Sequence, residues 1–305
     1  IARFAATIAR YNLPEDYYKN YLKRLQDITV ADVQAIANKY MSDNNCYIIV
    51  VGDDSVLEKI KQFDGDGKIE MLDAFGNPAS ETIKSDISAT ELFEKHSLAV
   101  TNAKNIKERD KKLKKFKSIL TTSEISIAQA PVKLQSKEFW AAPNISARTM
   151  EMNGMVLEKT YFNGKTGYKM SAQTGRVDLT EKEINEYKKS VGYIPEIHYS
   201  FIGTPYELVG VEDQNGTQLY VVKIVEGQET TLDYYYKSNF LKAKTVKIGK
   251  SEEGEAFETT ITYMDYKEVN GMQIPHATSM GIGEMTFTSV VKTIEINKGS
   301  INDFK

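Results

Sequence analysis

From about residue 119 onward, apolar residues in this chain recur at every second position. The alternation runs through "SILTTSEISIA", "MVLEKTYFNG", "GYKMSA", "QLYVVKIV", "TLDYYYKSN" and "AKTVKIG". A period of two puts alternate side chains on opposite faces of a pleated strand. Turn signals break the runs: "NGK" at 163, "QNGT" at 214, "EGQ" at 226, "EEGE" at 252 and "VNGM" at 269. Asparagine and glycine supply the positive φ that tight hairpins need. Successive strands joined by short turns predict an antiparallel meander, either a curved sheet or a barrel. One helical stretch interrupts it, "LTEKEINEYKKS", with Thr180 placed as cap and Glu183 at the capping-box position.

The segment "FETTITYMDYKEVNGMQIPH" reads as a hairpin turning at Asn270-Gly271. Pro275 has no N–H for a ladder, so it predicts an edge or a strand end. His276 then falls at a strand terminus with no partner in sequence. "EMTFTSVVKTIEIN" changes phase between Met285/Phe287 and Ile294/Ile296, which predicts a bulge near Val290. A half-barrel must bury its inner face against something. The residues assigned to that face are Tyr220, Val222, Ile224, Leu232, Tyr234, Tyr236, Phe257, Ile261 and Tyr263. They line either an apolar cavity or a closed core filled by helices. The tyrosines favour an opening, because a phenol hydroxyl needs water or a partner.

The first 80 residues have a different pattern. Pro14 suits a first helical turn, and Tyr18, Tyr21, Leu22 and Leu25 share a helix face. Thr29 and Asp32 form a capping-box pattern ahead of Val33, Ile36, Ala37 and Tyr40. "CYIIVVGD" reads as a strand buried on both faces, "SVLEKIKQF" as a short helix, and "KIEMLDAFGNP" as a closing strand. The expected order is α-α-α-β-α-β. "NPASETIKSDIS", residues 77–88, marks a boundary, with residues 81–88 as linker. "ATELFEKHSLAV" reads as a helix with His96 half-buried or at the surface. The lysine-rich "KNIKERDKKLKKFKS" keeps an apolar stripe of Ile106, Leu113 and Phe116, so it reads as a helix with a solvated face, the alternative being a contact with anionic lipid or nucleic acid. A net charge of -3 argues against nucleic acid as a partner. The opening "IARFAATIARYN" reads as mid-helix, so the chain is expected to be the C-terminal piece of something longer.

The sequence offers little chemistry. Cys46 is the one cysteine, which excludes an internal disulfide, and it falls in a buried-looking strand. His96, His198 and His276 are too far apart in sequence to form a metal pair. "GDGK" at 65 lacks P-loop spacing, "GIGEM" at 281 lacks a third glycine, and no serine sits in G-x-S-x-G. Asp53/Asp54 and Glu252/Glu253 fall in turns, where solvation is expected. No constellation for catalysis, cofactor or metal emerges.

Two resemblances add to this reading. The stretch from "LPEDYYKNYLKRLQDITVADVQAIANKY" to "VVGDDSVLEKIKQF" resembles the closing part of an insulinase-like (pitrilysin-type) zinc peptidase domain. That family needs H-x-x-E-H to bind zinc and activate water. The motif is absent, so the resemblance implies a non-catalytic portion, with zinc only in an upstream part of the polypeptide. "MNGMVLEKTYFNGKTGYKM", "DLTEKEINEYKKS" and "TTITYMDYKEVNGMQIPH" resemble the LolA/LolB-like lipoprotein-carrier fold, in copies fused after such peptidases in Bacteroidetes-type bacteria. It implies a bent antiparallel half-barrel with helices over its concave face.

The expectation is therefore an α+β chain. Residues 1–80 would end a peptidase domain, and residues 89–305 would form a LolA-like domain. The first functional reading is a non-catalytic region with an accessory module for an apolar ligand or a partner. The second is a lipid or lipoprotein carrier, and the third a zinc peptidase in its own right. Expected partners are upstream peptidase domains and an apolar ligand, lipid or peptide. A place in the periplasm or at the outer membrane of a Gram-negative bacterium follows from the resemblance alone.

Overall fold

The computed structural model describes residues 2–41, 47–52, 54–65, 67–72, 82–227, 229–250, 254, 256–283 and 285–305. The chain divides into two compact units, Ile1–Leu72 and Asp73–Lys305.

The first unit contains α1 (Ala2–Tyr11), α2 (Tyr17–Asp27) and α3 (Val30–Tyr40), then a short α4 (Leu57–Ile60) flanked by 3-10 turns at Asp54–Val56 and Lys61–Phe63. The capping box forms: the Asp32 backbone N–H donates to Thr29 Oγ1, and the Thr29 N–H donates to the Asp32 carboxylate. No residue of α2 or α3 is buried. The expected strand at 46–53 is a correction. Tyr47–Val51 takes no ladder partner, and Tyr47 and Val51 are 99% and 97% exposed. A strand apolar on both faces needs neighbours on both, and nothing among the described residues supplies them. Cys46 and Asp53 lie outside the described residues. Residues 68–71 also form no strand, Leu72 makes a single bridge, and residues 73–78 of that expected element lie outside the described residues.

The second unit begins with β1 (Thr82–Ile83), α5 (Ala89–Val100) and α6 (Ile106–Lys115). A meander follows: β2 (Ser118–Ile127), β3 (Ala130–Ala141), β4 (Ile145–Met152), β5 (Met155–Phe162), β6 (Gly167–Ser171) and β7 (Gly175–Asp178). Next come α7 (Glu181–Lys189) and a 3-10 turn, Pro195–His198, that runs into α8 (Tyr199–Ile202). The second meander is β8 (Tyr206–Gln214), β9 (Thr217–Glu226), β10 (Glu229–Tyr236), β11 (Lys242–Lys250), β12 (Ala256–Val269), β13 (Met272–Ile282) and β14 (Met285–Ile296), closed by a 3-10 turn at Ile301–Phe304. Thr82–Ile83, expected as linker, pairs instead with Val211 and Glu212 of β8.

Among the described residues, fourteen strands form one antiparallel sheet, ordered β1-β8-β9-β10-β11-β12-β13-β14-β2-β3-β4-β5-β6-β7. The ladder between β14 and β2 joins the two meanders, and its register shifts between Val291 and Thr293, where the phase change predicts a bulge. The sheet curls strongly. In α7, Tyr187 stacks on Phe162 of β5 with ring centroids 4.9 Å apart, and Lys189 pairs with Glu226 of β9 at 3.1 Å. Laid flat, those two strands would stand roughly 40 Å apart at the usual inter-strand spacing. Two side chains two residues apart on one helix cannot span that distance. The expected Thr180–Glu183 capping box starts this helix.

Helices fill part of the inner face. Ser88 caps α5 by accepting from the Glu91 N–H, and Leu92, Phe93, His96, Ser97 and Val100 are its buried face. Leu92 and Phe93 pack on Val211, Tyr220, Val222, Ile224 and Tyr235. Val100 and Phe116 pack with Ile119, Ile194, Leu241, Met272 and Ile274. Asn105 caps α6, none of whose residues is buried. On the outer face Phe304 closes over Phe139, Ala147, Tyr161 and Tyr168.

His276 is a second correction. It sits inside β13, not at a strand end. Pro275 lies opposite Tyr266 of β12, whereas the ladder to β14 begins at Ala277. Along this stretch β13 is an edge on one side, which is where a proline fits.

Phe93 is 4% exposed and meets the rings of Tyr199, Tyr206 and Tyr235. Phe93→Ala is expected to cost about 3–5 kcal/mol, read by denaturant unfolding. A loss under about 1 kcal/mol would mean that α5 does not form this core.

Candidate functional site

The nine residues assigned to the inner face do not share one face. Tyr220, Val222 and Ile224 do point inward, but α5 covers them in a filled cluster. Tyr220 lies directly opposite Tyr235, and residues opposite one another in a ladder point the same way. Leu232 and Tyr234 therefore point outward, where they pack with Leu219, Val221, Ala243 and Val246, while Tyr236, at the end of β10, touches both that cluster and the inner one around Val100 and Leu241. A one-residue phase difference on β10 moved Leu232 and Tyr234. Phe257, Ile261 and Tyr263 point inward and are half-buried. Gly249 lies opposite Phe257, and any Cβ there would stand 2.9 Å from the ring.

Register carries Ile261 into a continuous apolar row. Ile261 faces Met280, Met280 faces Phe287, and Phe287 faces Ile127. The parallel row is Tyr263, Thr278, Ser289, Ile125 and Leu134. Ile261, Met280, Phe287 and Ile127 are half-buried, and none belongs to the four buried clusters. They form an apolar wall beyond the part of the inner face that α5 fills.

A buried ion cluster bounds the wall. Thr245 lies opposite both Ile261 and Asp233. The Lys242 ammonium contacts Glu196 Oε1 at 2.6 Å and Asp233 Oδ2 at 3.0 Å. The Tyr235 hydroxyl donates to Glu196 Oε1 at 3.2 Å, and the Thr245 hydroxyl donates to Asp233 Oδ1. Tyr263 Oη lies 3.5 Å from Thr245 Oγ1. Glu196 and Asp233 are 4% and 3% exposed. His96, expected half-buried or at the surface, is 4% exposed and belongs to the cluster. Its Nδ1 donates to the Phe240 carbonyl at 2.8 Å, and its Nε2 lies 3.8 Å from Glu196 Oε1.

Environment sets the protonation states. Burial holds the His96 imidazole below its ordinary value, against the opposing pull of Glu196. Burial alone would raise the Glu196 carboxyl, but the Lys242 ammonium beside it brings it well below the carboxylate range. Burial alone would lower Lys242, but Asp233 and Glu196 together raise it well above its ordinary value. The cluster thus joins two carboxylates, one ammonium and a neutral imidazole.

Sequence reading missed Glu196, Asp233 and Lys242. The phase read for β10 placed Asp233 outward, and only its pairing opposite Val222 turns it inward. Among the described residues, no three His, Cys, Asp or Glu side chains are grouped to hold a metal ion. His198 is half-buried beside Gly192, and His276 Nδ1 lies 2.9 Å from the Ile274 carbonyl. A separate groove of about 560 Å³, lined by Tyr161, Tyr168, Arg176, Asp178, Leu179 and Ile184 among others, opens near β6 and β7. There Arg176 lies 4.1 Å above the Tyr168 ring and pairs with Asp178. No helix of the described residues is long and apolar enough to cross a membrane.

The sign of the pH dependence follows from Glu196. Its folded pKa lies below the ordinary value of 4.5, so its contribution is present above that value and is lost as pH falls through the depressed one. Denaturant midpoints should drop as pH falls from about 4.5 toward about 2. Lys242→Met leaves two carboxylates in one buried space and should cost about 3–5 kcal/mol at neutral pH, less as they protonate. A variant equally destabilised at both pH values would refute the ion-pair assignment.

The unit compares with several solved structures. A LolA superfamily protein from Nitrosomonas europaea matches at 12% identity and a TM-score of 0.48, over 72% of this chain and 98% of its own. A DUF1329 family protein from Desulfovibrio piger matches at 8% identity and a TM-score of 0.48, over the same shares. The MucA/MucB complex of Pseudomonas aeruginosa matches at 9% identity and a TM-score of 0.23, over 71% of this chain and 96% of its own. No protein-family model and no curated protein matches the chain, so the insulinase-like reading of residues 1–80 gains nothing from the comparisons.

Proposed function

We propose that residues 82–305 are a non-catalytic, LolA-like binding module whose inner wall holds an acyl chain or a comparable apolar ligand, in the periplasm or at the outer membrane. One observation carries this reading. Ile261, Met280, Phe287 and Ile127 form an unbroken apolar row across four neighbouring strands of a curled sheet, outside the four buried clusters. A concave apolar surface with a few polar groups at one end is the usual form of a small-molecule site.

A second observation favours the larger reading, in which this module follows an insulinase-like peptidase portion. Leu22, Leu25, Val33 and Ile36 are 69%, 54%, 59% and 57% exposed. Helices with bare apolar stripes call for a further surface to cover them, and upstream peptidase domains of the same polypeptide would supply it. An upstream coding sequence without H-x-x-E-H would remove that part of the proposal.

The wall is tested with N-phenylnaphthylamine, an uncharged probe that fluoresces in apolar surroundings. The chain should bind it saturably. Ile261→Asp or Phe287→Asp should weaken binding at least tenfold, about 1.4 kcal/mol or more, and Val225→Asp on the outer side should not. Equal binding by all four proteins would refute the wall as the site.

A further inference from the structure

We propose that the wall selects an amphiphile whose polar end is an uncharged or cationic hydrogen-bond donor, set against Tyr263, and that it disfavours a free carboxylate. The inference rests on the reading of the wall as a ligand site, and it deepens that reading by naming the ligand's polar end.

Proton counting gives the first half. A threonine hydroxyl has one hydrogen to donate, and Thr245 gives its own to Asp233. Toward Tyr263, 3.5 Å away, Thr245 can only accept. The Tyr263 proton is then directed to Thr245, and the phenol oxygen offers lone pairs alone to whatever lies along the wall. Tyr263 adjoins Ile261 on the inward side of β12, opposite Thr278, so a chain packed on Ile261 brings its end group to that oxygen. An acceptor-only group must first turn that proton away from Thr245, whereas a hydroxyl, an amide N–H or an ammonium meets lone pairs already presented.

Charge gives the second half. Behind the two hydroxyls stand Asp233 and Glu196, with one ammonium between them at 3.0 and 2.6 Å. Lys242 is thereby engaged on both sides and offers no free charge to an incoming anion. His96 is committed through Nδ1 to the Phe240 carbonyl. The cluster keeps a surplus of one negative charge, and its burial limits screening by salt. Lys247 also faces inward, opposite Thr259, but it is half exposed and lies 3.6 Å from Glu229. His276 shares the inward side of β13, and its Nδ1 is engaged by the Ile274 carbonyl at 2.9 Å. The end of the wall therefore repels a second carboxylate and accepts a donor.

The test is competition against N-phenylnaphthylamine on the full chain at about pH 8, with laurylamine, lauryl alcohol and laurate kept below their micelle thresholds. These share one chain and differ in the end group. Laurylamine and lauryl alcohol should displace the probe at concentrations at least tenfold lower than laurate. Tyr263→Phe keeps the ring and removes the oxygen, so it should leave probe affinity in place and shrink the alcohol's advantage over laurate several-fold. Because the surplus charge is buried, raising the salt concentration should leave the amine-to-laurate ratio largely in place, and its collapse at moderate salt would place the discrimination at exposed charges instead. Laurate binding as tightly as the amine, or a ratio untouched by Tyr263→Phe, would overturn the inference while the wall stands. Failure of the probe to bind, or equal binding by Ile261→Asp, would overturn both.

Discussion

A curled sheet of fourteen strands must shield an apolar inner face from water, and this is the constraint on which the rest depends. The strands contribute side chains to that face, and the cover is α5, the turn into α8, the segment around Phe116, and α7 where Tyr187 stacks on Phe162. The ion cluster decides where the filling stops. Asp233 and Lys242 stand on adjacent inner strands, and an apolar plug laid across them would strand buried charge. The chain instead brings up Glu196 and His96, and it makes this boundary a polar joint between the helices and the sheet. Past the joint the strands continue without that cover, and their inner residues shelter one another through curvature.

Features set by neighbouring residues are legible in the sequence alone. The two capping boxes read from the sequence, Thr29 with Asp32 and Thr180 with Glu183, depend on residues three apart. Asn215-Gly216 and Asn270-Gly271 turn the chain because both residues take positive φ. The bulge in β14 announces itself by a phase change. Beyond that reach, local pattern fails for physical reasons. Tyr234, Tyr235 and Tyr236 are amphipathic and consecutive, so the phase of the alternation is ambiguous there, and the pairing of Tyr235 with Tyr220 decides which one faces inward. The run at 47–51 has the composition of a central strand, but pairing needs a second strand that composition cannot supply.

The candidate site is legible in the same uneven way. Phe257, Ile261 and Tyr263 stand out by a clean alternation. Their apolar neighbours Met280, Phe287 and Ile127 depend on register across three further strands. Glu196 sits in "PEIH", which has no periodicity, and it meets Lys242 only because the 3-10 turn is folded onto β11. An ion pair joining such distant parts of the chain leaves no trace in spacing.

The two margins of the sheet are its shortest members: β1 with two residues and β7 with four. The half-open stretch of β13 holds Pro275, which has no amide hydrogen to offer. A stranger strand seeking to stack alongside finds almost no ladder to copy at either rim and an interrupted one within. The protein can thus carry a long, greasy, unsealed ribbon and still resist joining its own kind edge to edge into fibres.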